Sequence, residues 1–262
     1  MEIERAFVKF VQLYDYSDGS VFFPVCVSTN VEAKTLAREG AQDCTAVLAY
    51  EQTGGRGRNN RGWVSGAGTG VYLSVLLRPK IDTAFIPLLP LLTALSVCEA
   101  LRGMCVPAGI KWPNDVVACG KKLCGILLEG GSGADGGFCA AAGIGLNVAQ
   151  TQADFTAQEL PHAASLASLG YTTGYEDALG ALMKTFAGEY RAFCMQPDAL
   201  LSRYKDCCVT LGSHVLVRER DVSYEARAVD IAGDGALVIE TEGGKKAVYA
   251  ADVSVRGLMG YV

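Results

Sequence analysis

Between residues 175 and 193 the apolar side chains Leu179, Leu182, Met183, Phe186 and Tyr190 recur three and four positions apart. That period places them on one stripe of a helix, so an amphipathic helix with one face on a sheet is predicted there. A shorter helix is predicted over about Val31 to Glu39, because Thr29 and Glu32 have capping-box spacing and Gly40 suits the position after the last turn. The most apolar stretch, Ala84 to Cys98, is interrupted by Pro87, Pro90, Thr93 and Ser96. It falls short of the ~20 residues that a bilayer span needs, and reads as a buried core helix. Ala46 to Tyr50 and Val71 to Leu77 are short runs rich in β-formers and are predicted as strands. Val116 to Cys119, Leu123 to Glu129 and Phe138 to Val148 are further strands, joined by turns at residues 119–121 and 130–137. Such short connections imply antiparallel neighbours. After residue 208 the pattern changes to short strands and turns, at His214 to Arg218, Glu225 to Ile231, Ala236 to Glu240 and Lys246 to Tyr249. That spacing predicts a small β-barrel. The expected organisation is therefore a main domain over 1–207 and a β-domain over 208–262.

The chain has 262 residues, half of them hydrophobic, and 23 Lys+Arg against 28 Asp+Glu, a net charge of −5. A globally basic, nucleic-acid-coating surface is disfavoured, so any cations that bind phosphate must be gathered locally. Ten cysteines are present without one Cys-x-x-Cys pair, and the histidines are only His162 and His214. Neither a disulfide scaffold nor a zinc site fits that pattern; most of the cysteines read as small buried apolar residues of an intracellular chain. Glu2, Glu4, Arg5 and Lys9 break up the first ten residues, so no secretory signal is read there.

The segment from Glu51 to Gly70 is 20 residues long and holds seven glycines and three arginines, Arg56, Arg58 and Arg61. Loops of that length without structure of their own are uncommon in compact domains and usually functional. Its glycines, Gly55 among them, let backbone approach an anionic ligand, and its guanidiniums offer forked donors to phosphate or carboxylate. A solvated flexible loop and an RNA-binding Arg-Gly segment are the other readings of the same residues. Trp63 closes the loop as core packing or as a stacking platform for a base.

Three further clusters carry chemistry. In Lys111-Trp112-Pro113-Asn114-Asp115 a turn signal leaves an amide and a carboxylate at the mouth of the next strand, although turn formation alone also accounts for both. Lys122 starts an almost wholly apolar strand, where a cation can reach a phosphate, and Gly125 marks a close approach. Gly143-Ile144-Gly145-Leu146-Asn147 alternates glycine with aliphatic residues, leaving a groove one side chain wide with an amide at its end; a bulge or tight sheet packing is the alternative.

Taken in order, these segments resemble the biotin protein ligases. The matching features are Ser28-Thr29-Asn30 before a helix, Gln52, the Gly-Arg-Gly-Arg-x-x-Arg-x-Trp loop at 55–63, Lys-Trp-Pro-Asn-Asp at 111–115, Lys-Leu-x-Gly-Ile-Leu at 122–127, Gly-Ile-Gly-Leu-Asn at 143–147, and a small C-terminal β-domain. About 25 residues precede the first motif, which resembles the monofunctional type without an N-terminal DNA-binding domain.

The resemblance implies an α+β fold: a mixed, largely antiparallel sheet flanked by helices, like a class II synthetase, plus a small SH3-like barrel. It implies biotin and ATP as substrates with Mg2+, enzyme-bound biotinyl-5′-AMP as intermediate, and a lysine of a biotin carboxyl carrier domain as acceptor. By the same analogy Arg58 and Lys122 lie at the carboxylate and α-phosphate, and Arg61 toward pyrophosphate. Trp63 stacks on adenine, while Asn114 and Asn147 bind the nucleotide or its metal ion. Ser28, Thr29, Gln52 and Arg56 read the ureido ring, Gly143 and Gly145 line the valeryl chain, and Asn30, Gly55 and Gly125 complete the biotin site. Asp115 orients or deprotonates the acceptor amine. The metal ligands stay undefined. A cytoplasmic monomer or homodimer, with neither nucleic acid nor membrane as partner, is expected. Lipoate ligases and octanoyl transferases resemble the same pattern, but the complete Arg-rich loop together with the Lys-Trp-Pro-Asn-Asp motif favours biotin.

Overall fold

The computed structural model describes residues 1–219, 222–250, 253–257 and 261. Along the chain come α1 (Glu2–Leu13), β1 (Val21–Cys26), α2 (Thr29–Arg38), β2 (Thr45–Gln52) and β3 (Gly70–Leu77), then α3 (Leu89–Gly103), β4 (Gly109–Lys111), β5 (Asp115–Ala118), β6 (Lys121–Ser132) and β7 (Phe138–Asn147). The helices α4 (Gln152–Ala157), α5 (Tyr175–Met195) and α6 (Leu200–Cys207) follow, and then β8 (His214–Glu219), β9 (Val222–Ile231), β10 (Leu237–Thr241), β11 (Gly244–Val248) and β12 (Val253–Gly257). The first seven strands form one sheet in the order β1-β2-β3-β7-β6-β5-β4. Only β1 and β2 run parallel; the other neighbours are antiparallel, as their short connections predict. The C-terminal β-domain is a five-stranded antiparallel sheet ordered β11-β10-β9-β8-β12.

Period-two alternation divides the large sheet into two faces. Ala46 and Leu48 of β2, Val71, Leu73, Val75 and Leu77 of β3, and Ala140, Ala142, Ile144 and Leu146 of β7 join α3 and α5 in the main core. The intervening Val47, Leu76, Cys139 and Ala141 pack instead against Ala33 and Ala37 of α2. The glycines of β7, Gly143 and Gly145, continue this second series, so the chemistry falls on the face that α2 covers.

Local differences from the sequence reading have physical causes. Ser28, not Thr29, is the N-cap of α2. The Thr29 amide and hydroxyl both donate to Gln52 Oε1, at 2.8 and 3.2 Å, which removes Thr29 from the expected capping box. Gly40 does follow the helix with φ at +93°. Helical structure over Thr83–Gly103 runs 21 residues, longer than the sequence reading allowed, and is long and apolar enough to cross a membrane; most of it is buried against the rest of the chain. Its polar side chains are satisfied internally, Thr93 donating to the Leu89 carbonyl at 2.8 Å and Ser96 to that of Leu92 at 2.9 Å. The sequence reading does not include α1, β1, β4, α4, α6 or β12. All ten cysteines are free; Cys105 and Cys119 are exposed, and burial pushes the Cys26 thiol up to about 11 and that of Cys44 to about 12.

The two sheets meet at the residues just before the Asn114-Asp115 turn. The Val209 amide donates to the Ile110 carbonyl at 2.9 Å, and the Trp112 amide to Thr210 Oγ1 at 2.9 Å. The buried Trp112 indole donates to the Gly235 carbonyl at 3.0 Å, and Tyr204 to the Pro113 carbonyl at 3.1 Å. Trp112 is thus the peg on which the β-domain hangs. Trp112→Phe leaves the Gly235 carbonyl without its donor and is expected to cost about 1–3 kcal/mol; urea unfolding of wild type and variant, followed by circular dichroism, measures it.

Candidate functional site

Every candidate residue except Gly55 lines one cavity of about 610 Å³. Gly55 supports the loop from outside: a Cβ there would lie 2.7 Å from Ser65 Oγ, so only glycine lets the two arms of the loop close. Backbone bonds from Gly57 to the Arg61 carbonyl, 2.7 Å, and from Trp63 to the Gly55 carbonyl, 2.9 Å, give the Arg-Gly segment a hairpin-like shape. It is therefore a folded flap over the cavity, not an open solvated loop.

One end of the cavity is a polar nest at the start of α2. Gln52 Oε1 accepts from Thr29, Gln52 Nε2 donates to Ser65 Oγ at 2.8 Å, and Ser74 Oγ lies 2.7 Å from both Thr29 Oγ1 and Asn30 Oδ1. Asn30 Nδ2 donates to Glu129 Oε2 at 2.8 Å, and Lys34 pairs with the other Glu129 oxygen at 2.6 Å. Burial alone would raise the Glu129 carboxyl, but the bonds from Lys34 and Asn30 outweigh it and hold the group below its ordinary value. Ser28, Thr29 and Asn30 are themselves buried, and this network fixes the orientation of Thr29 and Asn30.

The middle of the cavity is bare backbone. A Cβ on Gly143 would lie 2.9 Å from Asn30 Cγ, one on Gly145 2.6 Å from Trp63 Cε2, and one on Gly125 2.9 Å from Trp63 Cζ3. Trp63 therefore lies flat across β6 and β7, over part of the groove predicted for an alkyl chain. Its Nε1 is buried without a hydrogen-bond partner among the described residues.

Charge collects at the other end. Lys122 Nζ is 2.5 Å from Asp115 Oδ1 and 5.3 Å from the Trp63 ring centre. Arg58 donates to Asn114 Oδ1 at 3.1 Å and to the Ala250 carbonyl of the β-domain. Burial lowers the Arg58 guanidinium, and the neighbouring Asp115 opposes that effect. Asn114 Nδ2 donates to the Ile126 carbonyl at 2.5 Å. Asn147 bridges the Ala164 carbonyl, at 3.0 Å, and the Gln150 amide, at 3.1 Å. Arg56 and Arg61 also line the cavity. Among the described residues no group of three or more His, Cys, Asp or Glu is placed to hold a metal ion.

Sequence reasoning missed Ser74, Lys34, Glu129, His162 and Tyr261, which complete the walls or brace them, and gave no role to Lys111 within its motif. Ser74 and Glu129 carried a faint signal as lone polar residues in apolar strands; Tyr261 carried none.

Residues 22–147 match the Biotin/lipoate A/B protein ligase family, and residues 210–256 match the Biotin protein ligase C terminal domain. The chain is 34% identical over 242 residues to a biotin--[acetyl-CoA-carboxylase] ligase of Paracoccus denitrificans, covering 88% of this chain and 98% of the relative. It is 32% identical over 240 residues to the bifunctional ligase/repressor BirA of Bacillus spizizenii, covering 90% and 73% respectively. The solved biotin protein ligase of Aquifex aeolicus in complex with biotin and ATP superposes with a TM-score of 0.76 at 28% identity, over 92% of this chain and all of that one.

The Glu129 network makes a pH prediction. Because the folded carboxyl titrates below the unfolded one, its stabilisation is complete above the unfolded value of about 4.3 and is lost as pH falls through the folded value. The unfolding free-energy difference between wild type and Glu129→Gln should be constant above about pH 5 and shrink below about pH 4; denaturant titrations at several pH values check it, and a difference independent of pH refutes it.

Proposed function

The chain belongs to the biotin/lipoate A/B protein ligase family, and from that premise we propose how its residues perform ATP-dependent protein biotinylation. The reaction joins biotin to ATP as biotinyl-5′-AMP and then to a lysine of a biotin carboxyl carrier domain. The observation that carries the assignment is the gathering of Arg58, Arg61, Lys122 and Asp115 in one cavity whose far end is a hydrogen-bonding nest of Thr29, Asn30 and Gln52. An acyl carboxylate and a polyphosphate need the first; a urea-like ring needs the second. The relatives are named for biotin, and nothing in the site favours lipoate or octanoate.

In the first step a biotin carboxylate oxygen attacks the α-phosphorus of ATP and pyrophosphate leaves. Two anions must meet, so charge neutralisation is the main requirement. Arg58 and Lys122 supply it at the carboxylate and α-phosphate, and Arg61 faces the departing pyrophosphate. Ser28, Thr29, Gln52 and Arg56 bind the ureido ring; Asn30, through Glu129 and Ser74, keeps that nest in register. The valeryl chain runs over Gly143, Gly145 and Gly125, and Gly55 shapes the flap. Trp63 rises from the glycine strip to stack on adenine, giving its unpartnered Nε1 an exit from burial. Asn114 and Asn147 bind the nucleotide. Oxygens of Asn114, Asn147 and Asp115 are the hard donors that would help to hold Mg2+; when bound it would neutralise phosphate charge.

In the second step the acceptor amine attacks the acyl carbonyl. A C–N bond forms, the C–O bond to phosphate breaks, and AMP leaves with the electron pair. Asp115 orients the amine or takes its proton. The flap keeps water from the mixed anhydride meanwhile. We assign residues 1–207 to the catalytic domain and 208–262 to the β-domain, and place the enzyme in the cytoplasm, where ten free cysteines stay reduced.

Labelled biotin should pass to a purified carrier domain only when ATP is present; transfer without ATP overturns the assignment. Lys122→Ala should slow biotin-dependent ATP–pyrophosphate exchange by about 10²- to 10³-fold, the range for losing one preorganised group that stabilises developing charge. Near-normal exchange removes Lys122 from the active site.

A further inference from the structure

Tyr261 belongs to none of the motifs, yet it reaches the charged end of the cavity. Its hydroxyl donates to Asp115 Oδ2 at 2.5 Å, while Oδ1 of the same carboxylate faces Lys122. Lys111 Nζ lies 3.6 Å from the centre of the tyrosine ring, and the His162 ring stacks on it at 5.7 Å. His162 is itself held in place, because its carbonyl accepts from the Lys122 amide at 2.7 Å. The phenol is thus gripped by the residues that flank the carboxylate to which the second step is assigned.

We propose that Tyr261 holds the place of the acceptor lysine and gates the transfer step. The inference rests on Asp115 acting in that step. Tyrosine and lysine both present a hydrogen-bond donor at the tip of a slender apolar stem. With the phenol seated, both Asp115 oxygens are engaged and the approach to Oδ2 is filled, so the adenylate is shielded from water and from stray amines. Lys111 favours this occupant through the face of its ring. An ammonium group in the same position would meet Asp115 Oδ2 as the phenol does, with Lys122 on the other oxygen of that carboxylate. The acceptor therefore enters as Tyr261 leaves, and its ammonium group releases one proton to solvent to become the neutral nucleophile. Its remaining excess proton passes to Asp115 as the C–N bond forms.

The test starts from biotinyl-5′-AMP preformed on the enzyme and freed of ATP, so that only the second step is read. Transfer is followed over a range of carrier-domain concentrations, and AMP release is followed without carrier, for wild type, Tyr261→Phe, Tyr261→Ala and Asp115→Asn. In Tyr261→Ala the half-saturating carrier concentration should fall about tenfold and carrier-free AMP release should rise by a similar factor, the scale of one lost hydrogen bond to a charged group. Tyr261→Phe should shift both in the same direction by less. If both quantities stay at wild-type values, or if the maximal transfer rate falls at an unchanged half-saturating concentration, Tyr261 is no gate; the second result makes it a residue that positions Asp115. Asp115→Asn separates the two layers. Wild-type transfer by that variant removes Asp115 from the step and the gate with it, whereas slow transfer combined with inert Tyr261 variants removes the gate alone.

Discussion

The site depends on a strip of sheet that carries no side chains. Gly125 on β6 pairs with Gly145 on β7, and Gly143 lies two residues before it on the same face. Because side chains alternate along a strand, the aliphatic residues between these glycines anchor the sheet to the helical core while the strip itself stays open on the other side. Asn30 and Trp63 approach the backbone there more closely than any Cβ would permit. Lys122 then lies beside Trp63 at the edge of the strip, and the flap that ends in Trp63 brings Arg58 over the carboxylate end. Removing the openness of the strip would disturb each of these placements at once.

The second organising element is the way a chain of net charge −5 concentrates its cations. Arg58 and Lys122 share one carboxylate, Asp115, and Arg58 also spends donors on Asn114 and on the β-domain carbonyl of Ala250. The positive field is thereby confined to one end of the cavity, where the proposed mechanism needs it. The β-domain is part of this arrangement. Trp112 ties it down two residues before Asn114, so the motif at 111–115 both builds the catalytic wall and fixes the neighbouring domain against it.

Much of this was legible in the sequence because it follows local rules. Glycine–aliphatic alternation specified the face of β7, turn chemistry specified the antiparallel β5–β6–β7 meander, and the apolar period specified α5. Readings failed where a partner distant in sequence took over. Thr29 has the spacing of a helix cap, but its hydroxyl is drawn to Gln52, 23 residues away. Trp112 stood in a motif with chemical neighbours and proved to be a structural anchor, because its donor meets a carbonyl 123 residues on. α1 was missed although Ile3, Phe7, Phe10 and Val11 recur at helical spacing, because its charged residues were weighed only against a secretory signal. Tyr261 meets Asp115 across 146 residues, and no spacing rule reaches that far.

Gly145→Ala tests the dependence on a bare strip most directly, since one methyl group there, 2.6 Å from where Trp63 Cε2 lies, would fill the strip over which the proposed valeryl path runs while leaving the strand's hydrogen bonds intact. Biotin-dependent ATP–pyrophosphate exchange, measured beside the urea unfolding midpoint, reads both consequences. The account predicts exchange reduced about tenfold or more, the scale of an ångström-level misplacement near the chemistry, in a protein that still unfolds cooperatively near the wild-type midpoint. Wild-type exchange by the variant would contradict it.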